Sequence, residues 1–91
     1  MTRTTRKQVE SLFGTFANRL GMRVATRFDD HGAYRLDYAP VYGGYNIERI
    51  DDTSSGVSLP FGEQRRSAGE MWSAMHFALR AIEVHEKESA R

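Results

Sequence analysis

The chain has 91 residues, of which 40% are hydrophobic and 11% aromatic, a composition that indicates one small globular domain and excludes a fibrous or disordered protein. It contains no cysteine, which excludes disulfides and thiolate metal sites. Thirteen basic and twelve acidic side chains give a net charge of +1, too balanced to attract nucleic acid through the overall field alone. With neither a leader pattern nor an apolar stretch of roughly 20 residues, we expect a cytoplasmic protein that does not enter membranes.

The first predicted element is an amphipathic helix between Thr5 and Gly21. The Thr5 hydroxyl can cap free amides while Gln8 reaches back in a capping box, and Gly21 can take the left-handed conformation that ends a helix. The apolar residues recur at helical spacing on one face, namely Val9, Leu12, Phe13, Phe16 and Leu20. We therefore expect one buried face.

Beyond Gly21 the apolar residues alternate with charged ones, as in strands. The alternation predicts strands over 22–28, 34–38 and 45–48, in which Met22, Val24, Phe28, Tyr34, Leu36, Tyr38, Tyr45 and Ile47 form the apolar side. Turns are predicted over 30–32 and 39–44. Because each strand has one apolar side, we expect an antiparallel meander covered on one face only. A short edge strand over 57–61 would follow a loop over 51–56.

The second predicted helix begins at Ser67, which forms a capping box with Glu70, and it ends at about His85. Its apolar stripe comprises Met71, Met75, Ala78, Leu79 and Ile82, with Trp72 at the edge. Phe77 and Val84 project from roughly the opposite side. Either they contact a partner or second copy, or they are singly exposed residues, which are ordinary.

These elements predict a single α+β domain over residues 1–91, in the order α-β-β-β-(β)-α. The sheet is a three- or four-stranded antiparallel meander with both helices packed on one face. We expect residues 1–4 and 86–91 to form frayed tails. Because so short a chain buries only roughly 60 to 65% of its unfolded surface, association with a partner or as a homodimer would add stability.

The residues that could carry chemistry are few. His76 and His85 lie on opposite sides of one helix and cannot share a metal ion. A solvated turn explains the run 29–31, and the loop that starts at Asp51 lacks the glutamate that a calcium loop requires at its twelfth position, Gly62. No nucleophile elbow or phosphate-binding loop is present. We therefore predict no catalysis, no metal and no cofactor.

The run Tyr42-Gly43-Gly44-Tyr45 is the most unusual short motif. Its glycines permit positive φ or a close approach by another backbone, and its tyrosines could stack on a partner. The alternative is ordinary hairpin chemistry. We predict that a protein partner binds this motif or the pair Phe77 and Val84.

The pair Arg65-Arg66 before the Ser67 cap could hold a phosphate, and Arg6 with Lys7 forms a second basic cluster. Alternatively, these arginines are solvated or pair with Glu63 or Glu70. The order helix, three strands, helix, together with Arg65-Arg66-Ser67-Ala68, resembles the double-stranded-RNA-binding domains, whose second helix opens with a basic pair and an alanine. That resemblance implies nucleic-acid binding as the alternative function.

A second resemblance is to small uncharacterised proteins encoded by tailed phages and prophages. It covers roughly residues 34 to 83 and is carried by Tyr42-Gly43-Gly44-Tyr45, Gly56-Val57, Pro60-Phe61, Arg66-Ser67-Ala68, Glu70-Met71 and Phe77-Ala78-Leu79-Arg80-Ala81. The resemblance implies a phage accessory protein in the host cytoplasm that binds a host or viral protein, or itself.

Overall fold

The computed structural model describes residues 3–27, 29–51 and 56–89. The elements are α1 (Arg6–Arg19), β1 (Tyr34–Ala39), a 3₁₀ helix (Pro40–Tyr42), β2 (Gly44–Ile50), β3 (Val57–Ser58) and α2 (Ala68–Ser89). The strands form one antiparallel sheet in the order β1-β2-β3. The predicted α+β meander with flanking helices is therefore confirmed.

Helix α1 begins and ends where its capping residues predict. The Thr5 hydroxyl accepts a hydrogen bond from the Gln8 amide at 3.2 Å, and the Gln8 side chain accepts one from the Thr5 amide at 2.8 Å. Gly21 follows the helix with a φ of 70°. The buried residues are Val9, Phe13, Phe16 and Ala17. Leu20, predicted to be buried, is exposed because it is the C-cap residue beyond the last turn.

The prediction of a strand over 22–28 is wrong, because residues 22–27 form no strand. Phe28 lies outside the described residues. The segment makes only one parallel bridge to β1, in which Ala25 donates to the Tyr34 carbonyl and Tyr34 donates to the Arg23 carbonyl, each at 2.8 Å. It then bends into a turn, since Asp30 N–H donates to the Arg27 carbonyl. Alternation identified the core-facing Met22 but could not identify the pairing partner.

Strand β2 is the centre of the sheet. It pairs with β1 from Tyr34 opposite Arg49 to Ala39 opposite Gly44, and with β3 through only two residue pairs. The predicted strand 57–61 therefore ends early, at Ser58, as expected next to Pro60, which has no amide to donate. After β3 the chain leaves the sheet over residues 59–65, which we call the bulged segment after β3. It returns to β2 at Arg66, which exchanges two backbone hydrogen bonds with Tyr45. Of the predicted loop 51–56, residues 52–55 lie outside the described part.

Both helices pack on the apolar side of the sheet, as predicted. The core comprises Val9, Phe13, Phe16, Ala17, Tyr45, Ile47, Met71 and Met75, and Leu36 packs against it. The prediction that the opposite side stays in solvent is wrong for Asn46, which is 2% exposed, and for Glu48, which is also buried. Asn46 hydrogen-bonds to the bulged segment after β3, and Glu48 accepts a 2.7 Å hydrogen bond from Arg35.

Helix α2 starts at the predicted capping box, in which the Ser67 amide donates to Glu70 Oε1 at 2.9 Å. It runs to Ser89, one turn beyond the predicted end, so residues 86–89 of the predicted frayed tail are helical. Residues 1, 2, 90 and 91 lie outside the described ranges, and Arg3 and Thr4 precede α1. Trp72 lies beside the first turns of α1 and Glu86 forms an ion pair with Arg19, so the two helices run side by side in the same direction.

Candidate binding surfaces

The Tyr-Gly-Gly-Tyr motif forms the tight connection between β1 and β2. Gly43 and Gly44 have φ values of 103° and 118°, which other residues rarely adopt. A Cβ atom on Gly44 would overlap with the carbonyl oxygen of Arg66. The glycines therefore serve both roles that the sequence suggested, since they allow positive φ and the close approach of another backbone segment.

The two tyrosines of this motif lie in different environments. Tyr42 is 76% exposed, whereas Tyr45 is 3% exposed and stacks against Tyr38 with 4.6 Å between the ring centroids. Burial raises the pKa of the Tyr45 hydroxyl. Tyr45 and Gly44 are thus buried residues, and both line a surface pocket together with Arg6 and Tyr38. Tyr42 and Gly43 remain accessible.

The predicted pair Phe77 and Val84 lies on the outer face of α2. Phe77 is 77% exposed and Val84 is 59% exposed, although both are large apolar side chains. With Arg80, Ala81, His85 and Glu88 they line a shallow concavity of about 550 Å³. We call this surface the α2 outer face.

The four basic residues predicted for nucleic-acid binding are not brought together as one surface. Arg65 donates to Asp37 at 2.7 Å and to the Gly44 carbonyl at 3.0 Å. Arg6 pairs with Glu10 at 2.9 Å and lies over the Tyr38 ring, while Lys7 is exposed on the first turn of α1. Arg66 belongs to the backbone bridge with β2. Structural contacts therefore occupy Arg6 and Arg65.

The acidic turn before β1 is neutralised by neighbouring arginines. Asp29 accepts two hydrogen bonds from Arg27, and Asp30 pairs with Arg23. These hydrogen bonds hold the pKa of both carboxyl groups below their usual value. In the ranges that the structure describes, no three histidine or acidic side chains are grouped as metal ligands.

An apolar cavity of about 210 Å³ lies where α1, β2, α2 and the bulged segment after β3 meet. Its lining comprises Phe16, Asn46, Ile47, Phe61, Arg66, Met71, Ala74, Met75 and Ala78. The sequence does not predict this site, because the site forms only when the chain returns to β2 at Arg66. The one signal was Phe61, a large apolar residue at the end of the predicted edge strand 57–61. We call this site the Phe61 cavity.

No known protein family, no curated protein sequence and no solved protein structure matches this chain. Neither helix of the described residues combines the length and the hydropathy that a bilayer-spanning segment needs. Function is therefore inferred from the surfaces that the chain itself presents.

Proposed function

We propose that this protein acts by binding another protein through the α2 outer face, and not by catalysis. The supporting observation is the exposure of Phe77 and Val84, which are seven residues apart and therefore lie on one side of the helix. Burial of such side chains contributes about 1.5 to 3 kcal/mol each. The sequence resemblance to phage accessory proteins makes a host or viral protein in the host cytoplasm the proposed partner.

The charges beside this apolar strip favour a foreign partner over a second copy. Arg80 and Lys87 are also seven residues apart, so they lie along one flank of the strip. Among the described residues, the ion pair of Arg80 is an exposed 3.7 Å contact with Glu83, which holds it weakly. In a symmetric antiparallel pair of α2 helices Arg80 and Lys87 would face the same flank of the second copy, where like charges repel although Glu83 partly offsets them. The proposed partner therefore presents an apolar surface to Phe77 and Val84.

The test is photo-crosslinking in expressing cells, with a photoreactive residue in place of Ala81 at the centre of the face. Phe77→Asp should abolish the crosslinked product because it places a charge in the apolar contact. Val41→Asp is the matched control, since Val41 is also a highly exposed apolar residue but lies in the connection between β1 and β2. The proposal would be refuted if the crosslinked product still forms with Phe77→Asp, or if Val41→Asp abolishes it equally. A crosslinked homodimer would contradict the foreign partner.

Nucleic-acid binding is the weaker alternative, since Arg6 and Arg65 make ion pairs within the fold. It predicts retention of labelled duplex RNA or DNA that falls with salt and weakens when Arg65 and Arg66 are both replaced by alanine. Absence of retention at low salt would eliminate it.

A further inference from the structure

We propose that the Phe61 cavity binds a small organic acid in which one carboxylate is joined to a compact apolar group, with Arg66 as the counter-ion. This site is separate from the α2 outer face and does not depend on the function proposed there.

The size of the cavity limits the ligand. Its volume of about 210 Å³ exceeds the roughly 150 Å³ that suffices for benzene, but is below the roughly 300 Å³ at which pockets for drug-sized molecules begin. A single ring or a short branched chain therefore fits. Burial of that group against Phe16, Met71 and Met75 would supply the affinity.

The polar groups of the lining favour a single anionic group. Asn46 and Arg66 are the polar side chains of the lining. The donors of Asn46 are engaged, because its amide nitrogen donates to the Gly62 and Glu63 carbonyls at 3.1 and 3.4 Å, and its oxygen already accepts from the Ile47 amide at 2.8 Å. It therefore has no spare donor for a ligand such as a sugar or a peptide backbone.

Arg66 has the position and the spare donors that a carboxylate needs. It lies directly opposite Tyr45 in an antiparallel bridge, so its side chain points to the helix-covered side of the sheet, as that of Tyr45 does. Its guanidinium makes one long contact, 3.4 Å to the Gln64 carbonyl, and forms no ion pair within the described part of the chain. A guanidinium offers five donors in a planar fork that matches a carboxylate.

Phe61 completes the site as a wall from the bulged segment. Its ring contacts that of Phe16 edge to face, with 5.7 Å between the centroids. The segment is held in place by the two hydrogen bonds from Asn46. The cavity is thus built from the core itself and from an anchored loop.

The test is an NMR titration of methionine methyl groups with 3-phenylpropionate, and with 3-phenylpropan-1-ol as the neutral analogue. The Met71 and Met75 signals should shift saturably, whereas Met22, which is outside the lining, serves as the internal reference. The acid should bind about fivefold more tightly than the alcohol, and Arg66→Gln should reduce this preference to about twofold or less.

Two variants that fill the cavity complete the experiment. Ala78→Leu should abolish the shifts without lowering the melting temperature. If Ala78→Leu fails to fold, Ala74→Leu provides the same test. Absence of saturable shifts, equal binding of acid and alcohol, or unchanged binding by the filled variants would overturn the proposal. Tighter binding of a phenylalanine-terminated tripeptide than of the free acid would overturn the assignment to a small molecule.

Discussion

The backbone of Arg66 passes so close to Gly44 that no side chain fits between them. Gly44→Ala should therefore lower the free energy of unfolding by about 3 kcal/mol or more, because strain from positive φ adds to an overlap with rigid backbone. Gly43→Ala is the matched control: its φ is also positive, but a Cβ there would lie 3.6 Å from the nearest atom. We expect it to cost about 1 kcal/mol. Urea denaturation measures both, and equal losses would show that the close approach is unimportant.

Asn46 should be a stability determinant although it is polar. Asn46→Ala leaves the Gly62 and Glu63 carbonyls without their donor and the Ile47 amide without its acceptor. We expect a loss of about 2 kcal/mol in urea denaturation. Asn18→Ala, at an exposed position of α1, should change stability by less than about 0.5 kcal/mol. Comparable effects of the two substitutions would contradict the anchoring role.

Arg65 should act as a structural residue. Arg65→Lys keeps the charge but cannot reach both Asp37 and the Gly44 carbonyl with one planar group, so we expect a loss of about 1 kcal/mol in thermal or urea unfolding. Arg80→Lys, at an exposed site, should be neutral. If Arg65→Lys leaves stability unchanged but weakens retention of duplex RNA, the alternative function gains support.

The cap of α2 should make stability depend on pH. Hydrogen bonds with Ser67, and to a lesser extent the charge of Arg66, hold the pKa of Glu70 below its usual value of 4.5. A group whose pKa is lowered by folding stabilises the fold above its unfolded pKa and loses that contribution as the pH falls through the folded pKa. Glu70→Gln should therefore reduce stability at pH 7 but not at pH 2.

The measurement is urea denaturation of both proteins from pH 2 to pH 7. The curves should converge at acid pH. A constant difference across this range would show that the ionised form of Glu70 is not what stabilises the cap.

Local features of the sequence were reliable guides to the helices. The capping boxes at Thr5 and Ser67 and the stripe that contains Met71 and Met75 depend on residues three or four positions apart, and the structure confirms them. Exposure of Phe77 also followed from helical geometry. Each of these predictions required only the periodicity of one element.

Features that depend on distant parts of the chain could not be predicted. The segment from Met22 alternates like a strand, but its contact with Tyr34 is a single parallel bridge, and alternation does not specify a partner. Burial of Asn46 and the Phe61 cavity both require the chain to return to β2 at Arg66, about twenty residues later. Alternation predicts that a polar residue on a strand faces solvent, and it gives no information about a distant segment that covers the residue.

Because α1 and α2 run in the same direction, their helix dipoles are aligned. Peptide dipoles within each helix add to partial charges of about +0.5 at the amino end and −0.5 at the carboxyl end, and here both amino ends lie beside each other. Salt screens these partial charges within roughly 10 Å, so their effect is confined to the two ends of the helical layer. A small anion at the paired amino ends therefore meets two partial positive charges at once, whereas the carboxyl ends favour a cation.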